Sequence, residues 1–297
     1  MIVRQRPLPT LSVVMPTLNR PGTAGAALGS LLAQTCRRFE IVVIDQSDRP
    51  IGDQLSRRAA AWPRVRYCHI PRCGSPRARN YGVALARGEI ILSIDDDIIA
   101  CPALVAAHLA NYADPAVGAV AGRVTTPYDI LVGPHHPIGT FDRRTGNMAT
   151  NFNAERRTFV DHAYGCNFSF RRAAFAAAGG FDERFVASGM FEETDLGLAI
   201  GRAGYRIVFD PAASAEHRLA GGGGNRTTLR RMVYWRFHNY VLLCAKHLGR
   251  QHRTRFIAAR LREAAGWAKG EREGSLLAAG LLGLWRGLAR APGEWRD

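Results

Sequence analysis

Three consecutive aspartates, Asp95, Asp96 and Asp97, directly follow the largely apolar run 90–94. Three of the five residues in that run are isoleucine, which is typical of a buried strand in a parallel sheet. Ligands bind outside the carboxyl ends of such strands, and adjacent carboxylates repel one another unless a cation lies among them. Their oxygens suit Mg²⁺ or Mn²⁺. The alternative is an acidic turn capping the helix that starts near Pro102, but a cap needs one aspartate and not three.

A second group of carboxylates, Glu192, Glu193 and Asp195, precedes a helical apolar pattern. Carboxylates in the first turn of a helix interact favourably with its dipole, so a structural role is one explanation. The group also follows the glycine-containing loop 188–190, and active-site residues are often carried on mobile loops. Further along, His217 is another polar candidate, although a lone histidine is more often a structural residue.

The elements that must position these groups alternate between strand and helix over the first hundred residues. Such alternation predicts an α/β fold with a mostly parallel, doubly wound sheet and flanking helices. The expected strands are 11–15, 41–44, 65–67, 90–94, 117–121 and 205–209, and the expected helices are 22–34, 51–61, 75–86, 102–112, 171–178 and 192–202. In this sheet Asp45 and Asp95 face one crevice, which is the geometry of a nucleotide site. Ser75 is expected to cap its helix, with Pro76 at the first helical position.

Two common nucleotide-binding loops are absent from the sequence. Pro16-Thr17-Leu18-Asn19-Arg20 follows the first strand where a dinucleotide-binding fold would have G-x-G-x-x-G, and there is no Walker loop. Residues 125–157, rich in Pro, Gly, His and Asn, predict an irregular excursion that binds substrate or acts as a lid. His135 and His136 within it lack a third ligand at metal spacing and are expected at the surface.

The net charge of +15 implies an anionic partner: nucleic acid, acidic lipid or a phosphorylated substrate. Residues 226–297 contain fifteen Lys or Arg and five Asp or Glu. A basic nucleic-acid-binding protein is one alternative, but no nucleic-acid-binding motif accompanies the charge. Six scattered cysteines indicate reduced thiols. Because we find no secretory leader and no apolar run long enough to span a bilayer, we expect a cytoplasmic protein.

The last quarter of the chain begins with Gly221-Gly222-Gly223-Gly224, which suits either a hinge that closes after ligand binding or a plain linker. Three basic helices are expected after it, and the last has one face of leucines and another of glycines. With Trp267, Trp285 and Trp295, they could lie peripherally on an anionic membrane. They could equally pack on the preceding domain or form a homodimer. We therefore expect a domain over residues 1–220, divided near residue 122, and a helical extension over 221–297.

Taken in order, the motifs resemble family 2 glycosyltransferases with the GT-A fold. The resemblance covers roughly residues 10–220 and rests on the stretches 13–20, 42–45, 78–82, 86–89, 95–97, 179–183, 192–196 and 204–205 and on His217. It implies transfer of a sugar from a nucleotide-diphosphate donor with inversion at the anomeric carbon. The acceptor would be a sugar or a lipid-linked sugar in bacterial surface polysaccharide or glycolipid synthesis.

The resemblance also implies residue roles. Donor binding falls to Pro16, Thr17, Asn19, Asp45, Arg79, Asp95 and Asp96. Asp95 and Asp97 form the DxD motif that touches ribose and metal, and His217 reaches the metal or the diphosphate. Glu193 stands where the family more often has an aspartate as catalytic base, which leaves Asp195 and Glu192 as alternatives behind it.

The chemistry of glycosyl transfer agrees with two separated acidic groups. A divalent ion on Asp97 can neutralise the charge that develops on the departing nucleoside diphosphate. The acceptor hydroxyl must lose a proton as it attacks, so a carboxylate such as Glu193 must lie on the opposite side of the sugar. A nucleotidyltransferase, which also uses paired aspartates on an α/β sheet, is the other alternative, and it would release pyrophosphate.

Overall fold

The computed structural model describes residues 10–59, 63–129, 133, 135–187, 190–224, 227–270 and 274–291. Within these ranges one sheet contains the strands β1 (Leu11–Thr17), β2 (Phe39–Asp45), β3 (Val65–His69), β4 (Ile90–Ile94), β5 (Ile98–Ala100), β6 (Val117–Thr125), β9 (Thr158–Val160), β10 (Asn167–Arg171) and β11 (Arg206–His217). A separate hairpin consists of β7 (Thr140–Phe141) and β8 (Met148–Ala149).

The helices flank this sheet and follow it in sequence. They are α1 (Pro21–Leu32), α2 (Gly52–Ala59), α3 (Ser75–Leu85), α4 (Leu104–Ala110), α5 (Arg172–Ala178), α6 (Glu192–Arg202), α7 (Leu229–His247), α8 (Arg253–Gly270) and α9 (Gly274–Arg290). The sequence expectations on residues 1–9, on the end of the helix 51–61, on Ser188-Gly189, on Trp295 and on the Trp267 side chain lie outside what the structure describes.

The strand order is β3-β2-β1-β4-β10-β6-β11-β5, with β9 paired to another part of β11. The first four strands are parallel, and their buried apolar runs explain why each is predictable from sequence. Helices cover both faces: α1, α2 and α4 pack on one apolar core and α3, α5 and α6 on the other. The expected α/β architecture with a large, mostly parallel sheet is confirmed.

Strand β10 was not expected from the sequence, and it lies antiparallel between β4 and β6 in the middle of the sheet. Its residues alternate, with Phe168 and Phe170 in one core and Asn167 and Ser169 on the opposite face. Asn167 and Ser169 are nevertheless fully buried. Their polar side chains can be buried because both form hydrogen bonds with the buried ring of His108. Buried polar groups need such partners. Because two of its residues are polar, this central strand is difficult to recognise from the sequence.

Helix α3 begins differently from the expectation. Ser75 lies inside the helix, and the capping position belongs to Gly74, whose φ of 89° suits a residue without a side chain. No side chain caps this helix start. The prediction that Ser75 is the cap is therefore wrong by one position.

The three C-terminal helices share an apolar core with the preceding domain. Phe185, Phe191 and Leu198 belong to the same buried cluster as Phe237 and Tyr240 of α7. The glycine face of α9 packs against α7, since a Cβ at Gly283 would lie 2.3 Å from the carbonyl oxygen of Tyr234. In the described part of the chain, no helix combines the length and the hydropathy needed to cross a bilayer.

Candidate active site

Asp95, Asp97 and His217 come together at one edge of the sheet. One potential ligand atom from each lies within 4.8 Å of the other two. The two aspartates follow β4, and His217 ends β11, where it lies opposite Ile98 in the β5 register. Nε2 of His217 is 3.0 Å from Oδ1 of Asp97. Two carboxylates and an imidazole fit Mn²⁺, and Mg²⁺ suits the carboxylates, so the residues present match the expected cation.

The carboxyl group of Asp97 is almost completely buried and is surrounded by donors. Arg20 donates to its Oδ2 over 3.1 Å, and so does the backbone N–H of Ala220 over 3.0 Å. Burial alone would raise the pKa of Asp97, but the hydrogen bond and charge of His217, with those of Arg20, hold it below the ordinary value. Asp97 therefore stays ionised, as a metal ligand must.

The carboxylate of Asp96 contacts the first strand and the loop that follows it. It accepts a hydrogen bond of 2.6 Å from Thr17 and one of 3.0 Å from Arg20. Burial raises the pKa of Asp96 to about 6, although both partners oppose the shift. In this structure Asp96 ties the end of β4 to the loop after β1.

Arg79 connects the two acidic groups recognised in the sequence. Its guanidinium lies on the buried face of α3, donates to Oδ1 of Asp95 over 2.7 Å, and pairs with Oε1 of Glu192. Burial alone would lower the pKa of Arg79, but the nearby charges of Asp95, Glu192 and Glu193 raise it. A planar cation that holds two carboxylates fixes the distance between the end of β4 and the start of α6.

Two adjoining cavities meet at this arginine. The first, here called the Asp97 cavity, has a volume of about 310 Å³ and is bordered by Pro16, Thr17, Arg20, Asp97 and Thr227 among others. The second, the Glu193 cavity, measures about 380 Å³ and is bordered by Tyr164, Cys166, Glu193 and Arg236 among others. Both are lined by Arg79, Asp95, Met190, Glu192 and His217. Two ligands could therefore meet beside the candidate metal site.

Glu193 offers a carboxylate oxygen to the second cavity. Its Oε2 has no hydrogen-bond partner among the described residues, and its Cδ would lie 3.3 Å from a Cβ on Gly165. Burial raises the pKa of Glu193 well above its ordinary value, the charge of Glu192 adds to the shift, and Arg79 opposes it. A carboxylate with increased proton affinity and a free oxygen suits a general base.

The other two candidates for the base are held by cations. Glu192 pairs with Arg79 through Oε1, while its Oε2 has no hydrogen-bond partner among the described residues. Asp195 is 2% exposed, accepts hydrogen bonds from Lys246 over 2.6 Å and His247 over 2.7 Å, and lines neither cavity. The role of Asp195 as an alternative base stays a prediction, and this geometry disfavours it because Lys246 and His247 of α7 occupy both of its oxygens.

Asp45 and Asn19 lie beside the Asp97 cavity without being among its lining residues. Asp45 is fully buried and accepts hydrogen bonds from the backbone of Ser47 over 2.8 Å and of Ile51 over 3.0 Å, and from the hydroxyl of Tyr67. Asn19 has a φ of 55° and joins its loop to the one after β2. Their assigned donor-binding roles remain predictions.

The glycine run expected as a hinge or linker forms part of the Asp97 cavity wall. Nε of Arg20 donates to the carbonyl of Gly222 over 2.8 Å, and the N–H of Gly224 donates to the carbonyl of Leu18 over 2.8 Å. Gly223 has a φ of 67°, and a Cβ there would lie 2.7 Å from the backbone oxygen of Asn19. Only glycine fits so close to the loop after β1.

Sequence reasoning missed the residues that line the Glu193 cavity just before β10. The ring centroid of Tyr164 lies 6.1 Å from that of His217. Cys166 is buried and lines the same cavity. The alternation 167–171 was the available signal, because recognising that strand would have placed 164–166 at its start. Arg20 lies in the 16–20 motif after the first strand, but no sequence signal marks either Arg20 or Arg236 as a residue that lines a cavity.

The sequence pattern described as glycosyl transferase family 2 matches residues 12–179 of this chain. Among curated relatives, the O-antigen biosynthesis protein RfbC of Myxococcus xanthus is 27% identical over 229 residues, covering 72% of this chain and 17% of that protein. The glucosyl-dolichyl phosphate glucuronosyltransferase of Haloferax volcanii is 24% identical over 217 residues, covering 70% and 69%. The chain thus spans less than a fifth of the first relative's length.

Two solved structures share the fold. A mannosyltransferase from Pyrobaculum calidifontis in complex with GDP-Man and Mn²⁺ gives a TM-score of 0.59 at 19% identity, covering 95% of this chain and 74% of that one. TarS 1-349 from S. aureus in complex with UDP-GlcNAc gives 0.57 at 15% identity, covering 79% and 66%. The GT-A fold expected from the motifs is confirmed, and with the family pattern spanning more than half of its residues, the chain belongs to glycosyltransferase family 2.

Proposed function

We propose that this glycosyltransferase is metal-dependent and inverts the anomeric carbon of a nucleotide-diphosphate sugar. One observation carries the proposal: the Asp97 cavity and the Glu193 cavity meet at Asp95 and Arg79, with a metal-ligand set on one side and an unpartnered carboxylate oxygen on the other. A donor in the first cavity and an acceptor in the second would place the attacking hydroxyl and the leaving group on opposite sides of the sugar.

The residues divide the reaction between them. Asp95, Asp97 and His217 would hold Mn²⁺ or Mg²⁺, which supplies positive charge against the departing diphosphate. Arg79 is buried and paired with Asp95 and Glu192, so it holds the two cavities next to each other. Glu193 accepts the proton of the acceptor hydroxyl as that oxygen attacks the anomeric carbon. A single displacement of this kind inverts the configuration and needs no covalent intermediate on the enzyme.

The acceptor and the cellular location extend the proposal. The relatives named for O-antigen synthesis and for glucosyl-dolichyl phosphate support a growing polysaccharide or a lipid-linked sugar as acceptor. GDP-Man and UDP-GlcNAc in the related structures support a nucleotide-sugar donor without choosing its base or sugar. We place the enzyme in the cytoplasm, where nucleotide-sugars are made, working peripherally at the inner face of the membrane.

The test is thermal unfolding with a panel of nucleoside diphosphates and nucleotide-sugars, with and without Mn²⁺. A ligand that binds only the native state adds about 2.7 kcal/mol to the free energy of unfolding when its concentration is about 100 times its Kd. If binding requires the metal, the correct nucleotide should raise Tm only when the ion is present. Asp97→Asn should abolish this synergy. Asp114→Asn, an exposed aspartate paired with Arg206, is the matched control and should behave as wild type.

Product analysis separates the competing chemistries. Release of a nucleoside diphosphate from a nucleotide-sugar, with inverted configuration in the product, supports the proposal. Release of pyrophosphate from a nucleoside triphosphate would instead identify a nucleotidyltransferase. Full transfer in the presence of a chelator would refute metal dependence while leaving the family assignment intact.

A further inference from the structure

Helix α9 exposes a continuous apolar stripe on the side away from its glycine face. Leu281, Leu282 and Trp285 are 41%, 53% and 65% exposed, and Trp285 follows Leu281 by four residues and Leu282 by three. Residues at these spacings are neighbours on one helix face. Single exposed leucines are ordinary, but a contiguous group that includes a tryptophan marks an interaction surface.

Arginines border this stripe on two sides. Arg286 follows Leu282 by one helical turn, and both residues are exposed. At the start of α7, the exposed Arg230 and Arg231 flank a groove of about 350 Å³ whose apolar wall includes Leu282. We call the surface formed by Arg230, Arg231, Leu281, Leu282, Trp285 and Arg286 the α7–α9 surface.

No acidic residue balances these arginines within the described helices. Glu263 is the one acidic side chain that α7, α8 and α9 carry, and it pairs with Arg236 and Arg260. A second copy of the chain placed symmetrically on the surface would bring arginines against arginines, which disfavours self-association. Nucleic acid would use the arginines but leave the leucines and the tryptophan in water.

We propose that the α7–α9 surface docks on a bilayer containing anionic phospholipid. Leucine and tryptophan side chains enter the boundary between headgroups and acyl chains, and the surrounding arginines contact lipid phosphates. The surface lies next to the Asp97 cavity, because Thr227, just before α7, and Met232, in the first turn of α7, line that cavity. This orientation would present the active site to a lipid-linked acceptor, a consequence that rests on the proposed function.

Co-sedimentation with vesicles tests the surface directly. The full chain should bind vesicles of phosphatidylcholine mixed with phosphatidylglycerol, fail to bind phosphatidylcholine alone, and be released by salt, since exposed charges are screened. Each arginine near the bilayer contributes about fivefold in affinity, so Arg230→Gln combined with Arg286→Gln should weaken binding by roughly 25-fold. Leu282→Ser combined with Trp285→Ser should weaken it at least as much.

The matched control is Leu261→Ser combined with Arg262→Gln. These neighbours on α8 are exposed and of the same residue types, but they lie outside the α7–α9 surface. The control should bind vesicles as wild type does. Equal loss in the control, equal binding to neutral vesicles, or no vesicle binding would each overturn the proposal. A dimer in sedimentation velocity that only the Leu282/Trp285 variant dissociates would also overturn it, by assigning the surface to a second copy.

Thermal stabilisation by nucleotide and Mn²⁺ distinguishes a failure of the docking proposal from a failure of the proposed function. None of the substituted side chains is assigned to donor or metal binding, so both surface variants should retain that stabilisation while losing vesicle binding. Vesicle binding by a wild-type protein that no nucleotide stabilises would instead contradict the proposed function and leave the docking surface standing.

Discussion

Asp195→Asn and Glu193→Gln are nearly isosteric changes two residues apart, yet the structure gives them opposite consequences. Asp195 accepts charge-assisted hydrogen bonds from Lys246 and His247 inside the protein. Glu193 has a buried oxygen that has no hydrogen-bond partner among the described groups. The first change should therefore reduce stability, and the second should reduce turnover.

The size of each effect follows from these contacts. Hydrogen bonds to charged groups contribute about 1.5–3 kcal/mol each, and Lys246 keeps its contact with Asp182 after the substitution. We expect Asp195→Asn to cost about 3 kcal/mol. With an unfolding entropy of about 2.1 cal/mol/K per residue, this loss lowers Tm by roughly 5 °C in a chain of 297 residues. Glu193→Gln should lower kcat by about 10²–10⁴-fold, the usual contribution of a general base. Its unfolding free energy should be unchanged or slightly higher, because burial disfavours the charged form of Glu193 and glutamine does not ionise.

The assay combines urea unfolding with initial transfer rates expressed per folded molecule. Lys246→Met in both the wild-type and the Asp195→Asn backgrounds completes a double-mutant cycle. A loss of unfolding free energy in the double variant that is smaller than the sum of the two single losses confirms that the ion pair is the source of the loss. If Asp195→Asn unfolds like wild type but has no turnover, while Glu193→Gln still transfers sugar, the base is Asp195 and the reasoning is refuted.

Two further predictions concern the walls of the Asp97 cavity and the loop beside it. Gly223→Ala should weaken nucleotide binding and lower Tm, because the added Cβ would lie 2.6 Å from Cγ of Arg20. Gly222→Ala is the control, since a Cβ there meets nothing within 4 Å. Calorimetry and ligand titration should show the control to be unchanged from wild type. Burial would raise the pKa of Asp45, but the hydrogen bonds that it accepts, including that from Tyr67, hold this pKa below its ordinary value. A carboxyl group with a lowered pKa stabilises the folded state at every pH above its unfolded-state pKa. This contribution is lost as the pH falls through the folded-state pKa. Tyr67→Phe should therefore be less stable than wild type near neutral pH, with a difference that narrows below about pH 4. A difference that stays constant as the pH falls well below about 4 would contradict this account.

The parts of the fold that were predictable are those in which one local property decides the structure. The runs 41–44 and 90–94 are buried on both faces, so their apolar residues are sufficient to identify them as strands. Strand β10 is equally buried, but Asn167 and Ser169 satisfy their polarity through His108, a partner that lies on a different element. A sequence pattern does not contain that pairing.

In the candidate site, the positions of residues at strand ends could be predicted, whereas side-chain environments created by loops and by α7 could not. The clustering of Asp95, Asp97 and His217 follows from strand topology and from the family resemblance together. The burial of Asp45 could not be predicted, because the backbone of the following loop turns its N–H groups onto that carboxylate. The separate directions of Glu193 and Asp195 depend on α7, more than thirty residues further along the chain.

The contact of Lys246 and His247 with Asp195 bears on how this enzyme could be recombined with its relatives. The family pattern ends at residue 179, yet the helix that carries Glu193 is anchored by residues from the end of α7. A chimera joined between α6 and α7 would leave one parent's buried aspartate facing the other parent's helix. A crossover placed before Glu192 keeps both helices from one source, and exchange of acceptor preference between relatives should succeed more often at that junction.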